Sequence, residues 1–413
     1  MEKIIYINVI IALVFFICYS YQFLYVIASF FKKDKPHKEA KPHRFAVLIA
    51  ARNEEMVIEH LIDSINQQTY REGEVSVFVV ADNCTDSTAL RARNLGAIVY
   101  ERFDQTQIGK GHAMEFLLEK MEQDYEPFDG YFVFDADNVL DQNYIHEMNQ
   151  TFSDGYDIIT SYRNSKNYGD NWISSGYAIW FLWESEFLNR GRMLLGTSCA
   201  VSGTGFFFSR RIIKKYGGWK FFLLTEDIQF TVDNVISGEK IGYCRKAMLY
   251  DEQPVTFNQS FRQRMRWAKG FFQVFQRYGR ELFKGTLQCR TSCYDMLMVI
   301  MPAIILTLFT LVFNGCAILF GDYTLYQEKI VLFMLIQMMI NIYLTLVLIG
   351  TLTTVTQWKN IHTTTAKKIA YIFTFPLFMF TYIPITIVAF FKKVEWQPIE
   401  HNRAKTLAEI KEG

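Results

Sequence analysis

Two aspartates separated by one residue, Asp135 and Asp137, close the run YFVFDADN at residues 131–138. Carboxylates at that spacing can reach a single hard cation, and an Mg2+ or Mn2+ held by few protein oxygens keeps positions open for phosphate oxygens. The four large apolar residues before them read as a buried central strand. In an open α/β sheet the carboxyl ends of the strands face the ligand crevice, so this strand would deliver its acids to a binding site. An isolated pair of acids after a strand reads more readily as a solvated turn, so the surrounding chain has to decide.

Polar residues follow other apolar runs in the same way. Arg52, Asn53 and Glu54 follow residues 45–50, and Asp82, Asn83, Thr85 and Asp86 follow residues 75–81. Asp82 and Thr85 would serve equally as N-caps of the next helix. Lys110 stands between glycines just before a helix, where backbone N–H groups, the helix terminus and the ammonium can meet an anion; a flexible turn would have the same composition. Residues 202–205, SGTG, are small enough to make room for an acceptor or for another backbone. Glu226 and Asp227 head a helix, a position where acids are common for dipole reasons alone. Gln263, Arg266 and Trp267 lie three and four residues apart, so one helical face presents an amide, a guanidinium and an indole. A surface-lying amphipathic anchor would carry the same residues.

The elements that must position these residues alternate. Strands are expected over 45–50, 75–81, 97–101, 131–134, 157–162 and 241–249, with helices over 54–67, 87–95, 112–123, 172–195 and 228–236. That order signals a mostly parallel sheet covered by helices, with several strand ends converging on one rim. Aromatics along 172–195 read as core, or as a platform at a membrane surface or beneath a sugar ring.

Half of the 413 residues are hydrophobic and the net charge is +1. No basic run long enough to suggest nucleic acid is present. The seven cysteines show no CxxC spacing and read as reduced, packed thiols rather than zinc ligands. Apolar residues pool at the two ends. Residues 4–31 exceed the ~20 needed to cross a bilayer and are followed by Lys32, Lys33, Lys35 and Lys38, which places the next domain in the cytoplasm. Three further stretches, 294–320, 330–355 and 369–391, are long enough to cross. The acidic link GDYTLYQE is expected outside and the basic link QWKNIHTTTAKK inside. One crossing per stretch would leave the C-terminus outside, whereas Lys392, Lys393 and the polar tail favour the inside. A re-entrant or interfacial final segment, kinked at Pro376 and Pro384, would reconcile the two. The expected divisions are a membrane helix (1–33), a cytoplasmic domain (42–255), interfacial amphipathic helices (256–290), C-terminal membrane helices (291–393) and a polar tail (394–413).

Taken in order, the motifs AARNEE (50–55), ADNCTD (81–86), GKG (109–111), DAD (135–137), SGTG (202–205), TED (225–227) and QRMRW (263–267) resemble the family 2 glycosyltransferases. Among them the chain is similar to the membrane-embedded synthases of cellulose, hyaluronan, poly-N-acetylglucosamine and mixed-linkage glucan. It departs from them at Ala81, where many members carry an aspartate, and at Gly205, where several carry Ala or Asn. The resemblance implies a GT-A fold, a Rossmann-like α/β nucleotide-diphospho-sugar transferase domain, between N- and C-terminal transmembrane helices. It implies an inverting, metal-dependent hexosyltransferase of the cell membrane, multi-pass, taking a UDP-sugar donor. Asn53, Glu54 and Asp82 would hold the uridine and Lys110 the nucleotide. Asp137 with Asp135 would hold Mg2+ or Mn2+, and Asp227 would be the general base. Gln263, Arg266 and Trp267 would close over the donor, and Gly203, Thr204, Glu226 and Arg264 belong to the same substrate-binding motifs. The implied acceptor is a growing β-linked polysaccharide, with export through the membrane helices and, because the bundle is small, a second copy or a partner subunit. One rival keeps the chemistry but transfers a single sugar to a lipid or other membrane acceptor. Another is a membrane transporter or anchor whose domain merely binds nucleotide; the scarcity of intramembrane acids, with Asp295 alone well inside an apolar stretch, weighs against it.

Overall fold

In the computed structural model, residues 2–34, 36–320, 325–399 and 401–412 are described, so residues 321–324 of the acidic link lie outside the described residues. The chain opens with helices α1 (Glu2–Tyr19) and α2 (Gln22–Phe31) and enters an alternating domain. There β1 (Phe45–Ala51), α3 (Ile58–Asn66), β2 (Val75–Asp82), α4 (Thr88–Asn94), β3 (Ile98–Arg102), α5 (Lys110–Asp124) and β4 (Gly130–Asp135) follow one another. Then come β5 (Val139–Leu140), α6 (Tyr144–Ser153), β6 (Ile158–Ser165), α7 (Trp172–Trp183), a π-helical turn (Glu184–Asn189), α8 (Arg190–Leu195), β7 (Phe206–Ser209), α9 (Arg210–Tyr216), α10 (Glu226–Ile236) and β8 (Ile241–Asp251). The chain leaves through α11 (Phe257–Leu287), α12 (Thr291–Ile300), α13 (Pro302–Phe320), α14 (Leu325–Thr356), α15 (Thr365–Phe380), α16 (Tyr382–Phe391) and α17 (Leu407–Glu412).

The strands form one sheet in the order β3-β2-β1-β4-β7-β6-β8-β5. The first four are parallel, β7 runs antiparallel between β4 and β6, and β8 is parallel to β6. Residues 45–49 and 132–134 are fully buried, as expected of central strands covered on both faces. Register aligns the strand ends: Ala51 pairs with Ala81, and Ala50 with Asp135. The residues after β1, β2 and β4 therefore meet along one edge of the sheet, which is the placement the alternation predicted.

Two expectations shift. The helix expected from residue 54 starts at Ile58, because Asn53 adopts a left-handed backbone (φ 56°) and its side chain stitches two loops together. The helix expected over 172–195 contains the π turn, and its aromatics Phe181, Trp183 and Phe187 are core. Gly176 on α7 abuts Phe378 of α15 so closely that a Cβ would sit 2.3 Å from the ring.

Among the described residues three helical stretches are long and apolar enough to cross a membrane: Ile4–Phe31, Lys329–Thr356 and Thr365–Phe391. The pair α12 and α13, bent by 45°, would be a fourth. The last stretch differs from the others, being 39% buried against 11% and 6%. Its two ends both meet the sheet domain. Lys367 Nζ donates to Gly169 O (2.7 Å) at the start of α15, and α16 packs along α11, where Phe390 meets Phe272. Arg264 of α11 fastens the break between α15 and α16, donating to Phe378 O (3.1 Å) and Thr381 Oγ1 (2.7 Å). A guanidinium at a helix C-terminus satisfies carbonyls that the break exposes.

Candidate active site

The loops after β1 and β2 clasp each other. Asn53 Oδ1 accepts from Thr85 N (2.8 Å), Glu54 N donates to Thr88 Oγ1 (2.8 Å), and Ser87 N donates to Glu55 Oε2 (3.0 Å). Thr85 does not cap α4; the first turn is held by Asp86, which accepts from Thr88 N (3.0 Å) and its hydroxyl (2.6 Å). Asp82 is buried and paired with Arg102 (2.7 Å). Glu54 and Asp82 reach the wall of an open cleft, whereas Asn53 stays outside it.

Asp135 and Asp137 lie on the cleft floor. Asp135 remains 39% exposed to it and pairs with Lys110. Asp137 is nearly buried, its Oδ2 accepting from Glu252 N (2.7 Å) and its Oδ1 from Asn138 (3.3 Å). Although burial opposes ionisation, the Lys110 ammonium holds the Asp135 carboxyl below its usual value. Oxygen donors fixed in this way suit a hard divalent cation, while Lys110, Arg163 and His401 stand as positive neighbours of the acids.

Lys110 joins this floor to the opposite wall. Its Nζ donates to Gly203 O (2.9 Å), and Gly203 N donates to Asp227 Oδ2 (2.6 Å). Gly203 and Gly205 have φ of 75° and 66°, and a Cβ on Gly205 would lie 1.9 Å from Leu249 Cδ2. The glycine at 205, where the resemblance would allow Ala or Asn, is therefore set by this chain's own packing. Asp227 and Glu226 share a buried corner. Burial pushes both carboxyls up, and the neighbouring Asp227 charge helps raise Glu226 to about 7.

From above, α11 lends Gln263, Arg266 and Trp267 to the cleft. Gln263 Oε1 is buried without a partner, Arg266 donates to Leu224 O (3.1 Å), and Trp267 stands edge-on to Tyr177 (5.7 Å) and Phe181 (6.2 Å). Besides Asn53, two more residues of the expected set turn away from the cleft. Arg264 is buried beneath the rings of Phe378 and Tyr382, and Thr204 bonds Asn138 and Asp135 N from behind the floor.

Residues 42–270, more than half of the chain, match the family model described as glycosyltransferase-like family 2. The chain belongs to glycosyltransferase family 2. Over 268 residues it is 25% identical to a probable glycosyltransferase, YdaM, of Bacillus subtilis, covering 58% of each chain. It is 26% identical over 273 residues to a beta-monoglucosyldiacylglycerol synthase of Nostoc, covering 63% of this chain and 56% of that one. It is 23% identical over 235 residues to a poly-beta-1,6-N-acetyl-D-glucosamine synthase of Staphylococcus aureus, covering 56% and 55%. The match thus spans a little over half the length of these curated relatives. Among solved structures, a mannosyltransferase of Pyrobaculum calidifontis in complex with GDP-Man and Mn2+ superposes with a TM-score of 0.58 at 12% identity, covering 93% of this chain and 98% of that one. The likeness shows the fold, a GT-A-like α/β domain.

The family 2 domain of this chain also carries site residues that the sequence reading did not single out. Arg163, at the end of β6, pairs with Asp251 at the end of β8, stacks on Phe181 (3.6 Å) and donates to Ser202 O (3.1 Å). Burial, abetted by Asp137 and Asp135, pushes Asp251 up to about 6 despite that pairing. The larger addition is the tail, which was expected only to be polar. Residues 396–399 and His401 line the cleft. His401 Nδ1 lies 3.0 Å from both Glu54 oxygens, Asn402 N and Arg403 N donate to Glu252 (3.1 and 2.9 Å), and Trp396 lies under Arg52 (5.5 Å). Burial works against the imidazolium, but the carboxylates of Asp137, Glu54 and Glu252 outweigh it and raise His401 to about 10. The signal available in the sequence was a Trp-Gln-Pro-Ile run set in an otherwise charged tail.

Proposed function

We propose that this protein is a membrane-bound inverting glycosyltransferase that moves a sugar from a UDP-sugar onto the hydroxyl of a growing, β-linked polysaccharide. One observation carries the reading: a carboxylate fixed by a backbone N–H, Asp227 on Gly203, faces the same cleft as an acid pair suited to a cation, a guanidinium and an indole. Displacing UDP builds negative charge on the leaving group and requires the acceptor hydroxyl to lose a proton. Asp227 is the base, its affinity for protons raised above that of an exposed carboxylate by burial. Arg266 and Lys110 face the departing diphosphate, and Asp82 with Glu54 borders the uridine side, while Asn53 fixes the loop beside them. Trp267 offers a flat face to the acceptor sugar. Asp135 and Asp137 would hold Mg2+ or Mn2+, which when bound supplies positive charge to the diphosphate oxygens. One carboxylate suffices for direct displacement, which inverts the anomeric centre, so an α-linked donor gives a β-linked product.

The membrane side supports a multi-pass protein with its catalytic domain in the cytoplasm, since Lys32, Lys33, Lys392 and Lys393 flank the apolar helices on the domain's side. A single-sugar transfer to a membrane lipid is the second reading, favoured by the relatives named beta-monoglucosyldiacylglycerol synthase and by the small number of candidate spans among the described residues. The test is incorporation of radiolabelled sugar by membranes carrying this chain, given UDP-glucose, UDP-N-acetylglucosamine or UDP-glucuronate in turn with Mg2+ or Mn2+. Label in high-molecular-weight material, lost with Asp227→Asn, supports the polysaccharide. Label in the solvent-extractable lipid fraction moves the reading to the second, and no UDP release from any donor refutes both.

A further inference from the structure

Asp295 stands near the beginning of the apolar stretch 294–320, and nothing in the cleft uses it. It is fully buried midway along α12 and accepts four hydrogen bonds. Arg192 of α8 donates through Nε (2.7 Å) and Nη2 (3.0 Å), and the hydroxyls of Tyr21 (2.8 Å) and Tyr25 (2.9 Å) of the first membrane helix pair donate to the two oxygens. The helices meet as closely as backbones allow there, since a Cβ on Gly191 would lie 2.5 Å from Tyr25. The network then runs inward. Arg192 Nη1 donates to Asn189 Oδ1 (3.1 Å), at the end of the π turn. Asn189 in turn brackets Ala200, accepting from its N–H (3.0 Å) and donating to its carbonyl (3.2 Å). Three residues on, Gly203 donates to Asp227.

A buried, fully satisfied ion pair is a weak source of net stability but fixes geometry closely, because any departure leaves a charge unpaired in low dielectric. π turns inserted into α-helices are enriched where a side chain must be aimed. We infer that Asp295, Arg192 and Asn189 are positioning residues that hold the 199–205 turn, and through it Asp227, against the membrane helices α2 and α12. The inference rests on Asp227 being the base of the proposed transfer. The junction itself touches neither the acid pair nor the tail; the turn it holds reaches Asp227 through Gly203 N, and Lys110 and Asp135 through Gly203 O and Thr204.

The test uses the full chain in detergent or nanodiscs. Asn189→Ala cuts the bridge and keeps the ion pair, and the double variant Arg192→Gln with Asp295→Asn removes both charges together, so neither leaves a lone buried charge. Amide exchange is read at Val201 and Gly203, which do not touch Asn189, alongside labelled sugar transferred per UDP released. Exchange at both amides should rise at least about tenfold, and transfer per UDP released should fall about fivefold or more. Unchanged exchange in both variants overturns the inference, and so does faster exchange with transfer at the parent level. A parent protein that transfers no sugar refutes the proposed function instead, and the exchange result then decides by itself whether the junction holds the turn.

Discussion

Asp227 combines the two features a general base needs, a fixed position and an affinity for protons above that of an exposed carboxylate. The position comes from one backbone N–H, and the affinity from burial. Asp227→Asn keeps the hydrogen bond from Gly203 and loses the base, so the rate of transfer should fall about 10²- to 10⁴-fold while calorimetry finds UDP bound as before. Retained turnover would remove Asp227 from the role. The same burial sets a pH dependence. Because burial raises the Asp227 carboxyl, its reactive deprotonated form is depleted at acidic pH, and the rate should climb as pH rises and then level off. A rate that held steady toward acid pH would mean that Asp227 is not the base.

The elements differ in how far the sequence revealed them. β1, β2 and β4 are continuous apolar runs ending in polar residues, a local pattern that needs no partner to be recognised, and their parallel register brings Glu54, Asp82 and Asp135 together as the alternation implied. Arg163 and Asp251 escaped because their roles depend on the direct pairing of β6 with β8, two strands well apart in sequence that lie beyond the inserted antiparallel β7. The tail escaped for a stronger version of the same reason: His401 meets Glu54 across 347 residues, and no local periodicity announces such a contact. Its anchor is α17, where Ile410 packs with Val139 and Tyr250, and Lys411 pairs with Asp141 (2.9 Å). The anchored segment forms one wall of the cleft beside Glu54, the side proposed for the nucleotide. Ending the chain at Lys393, or replacing Trp396 by Ala, should therefore raise the donor KM about fivefold or more with a smaller change in kcat, the pattern of lost binding common to ground and transition states. A kcat that falls with an unchanged KM would assign the tail to the chemical step instead.

At the scale of the whole molecule, the apolar composition that marked the ends of the chain could not say how often they cross. Counting stretches sends the C-terminus away from the catalytic domain, whereas the structure returns it to that domain's cleft. The contradiction lies in α15 and α16. A stretch of 27 residues is long enough to span, but both of its ends touch the sheet domain, α16 lies along α11, and Arg264 secures the break between the two helices. We propose that it lies at the interface, so that α12 with α13 would leave the catalytic face, α14 would return, and the first helix pair would make a third crossing. The basic link at 357–368 agrees with that path, since Gln357 bonds Tyr162 and Asn360 bonds Asn164 of β6. An epitope at the C-terminus should then be digested only when protease reaches the side of the membrane that carries the catalytic domain, and an epitope at the N-terminus only from the opposite side. Right-side-out and inverted vesicles supply the two exposures. If the C-terminal epitope were cut from the side opposite the catalytic domain, α15 and α16 would have to cross, and the tail could not reach Glu54.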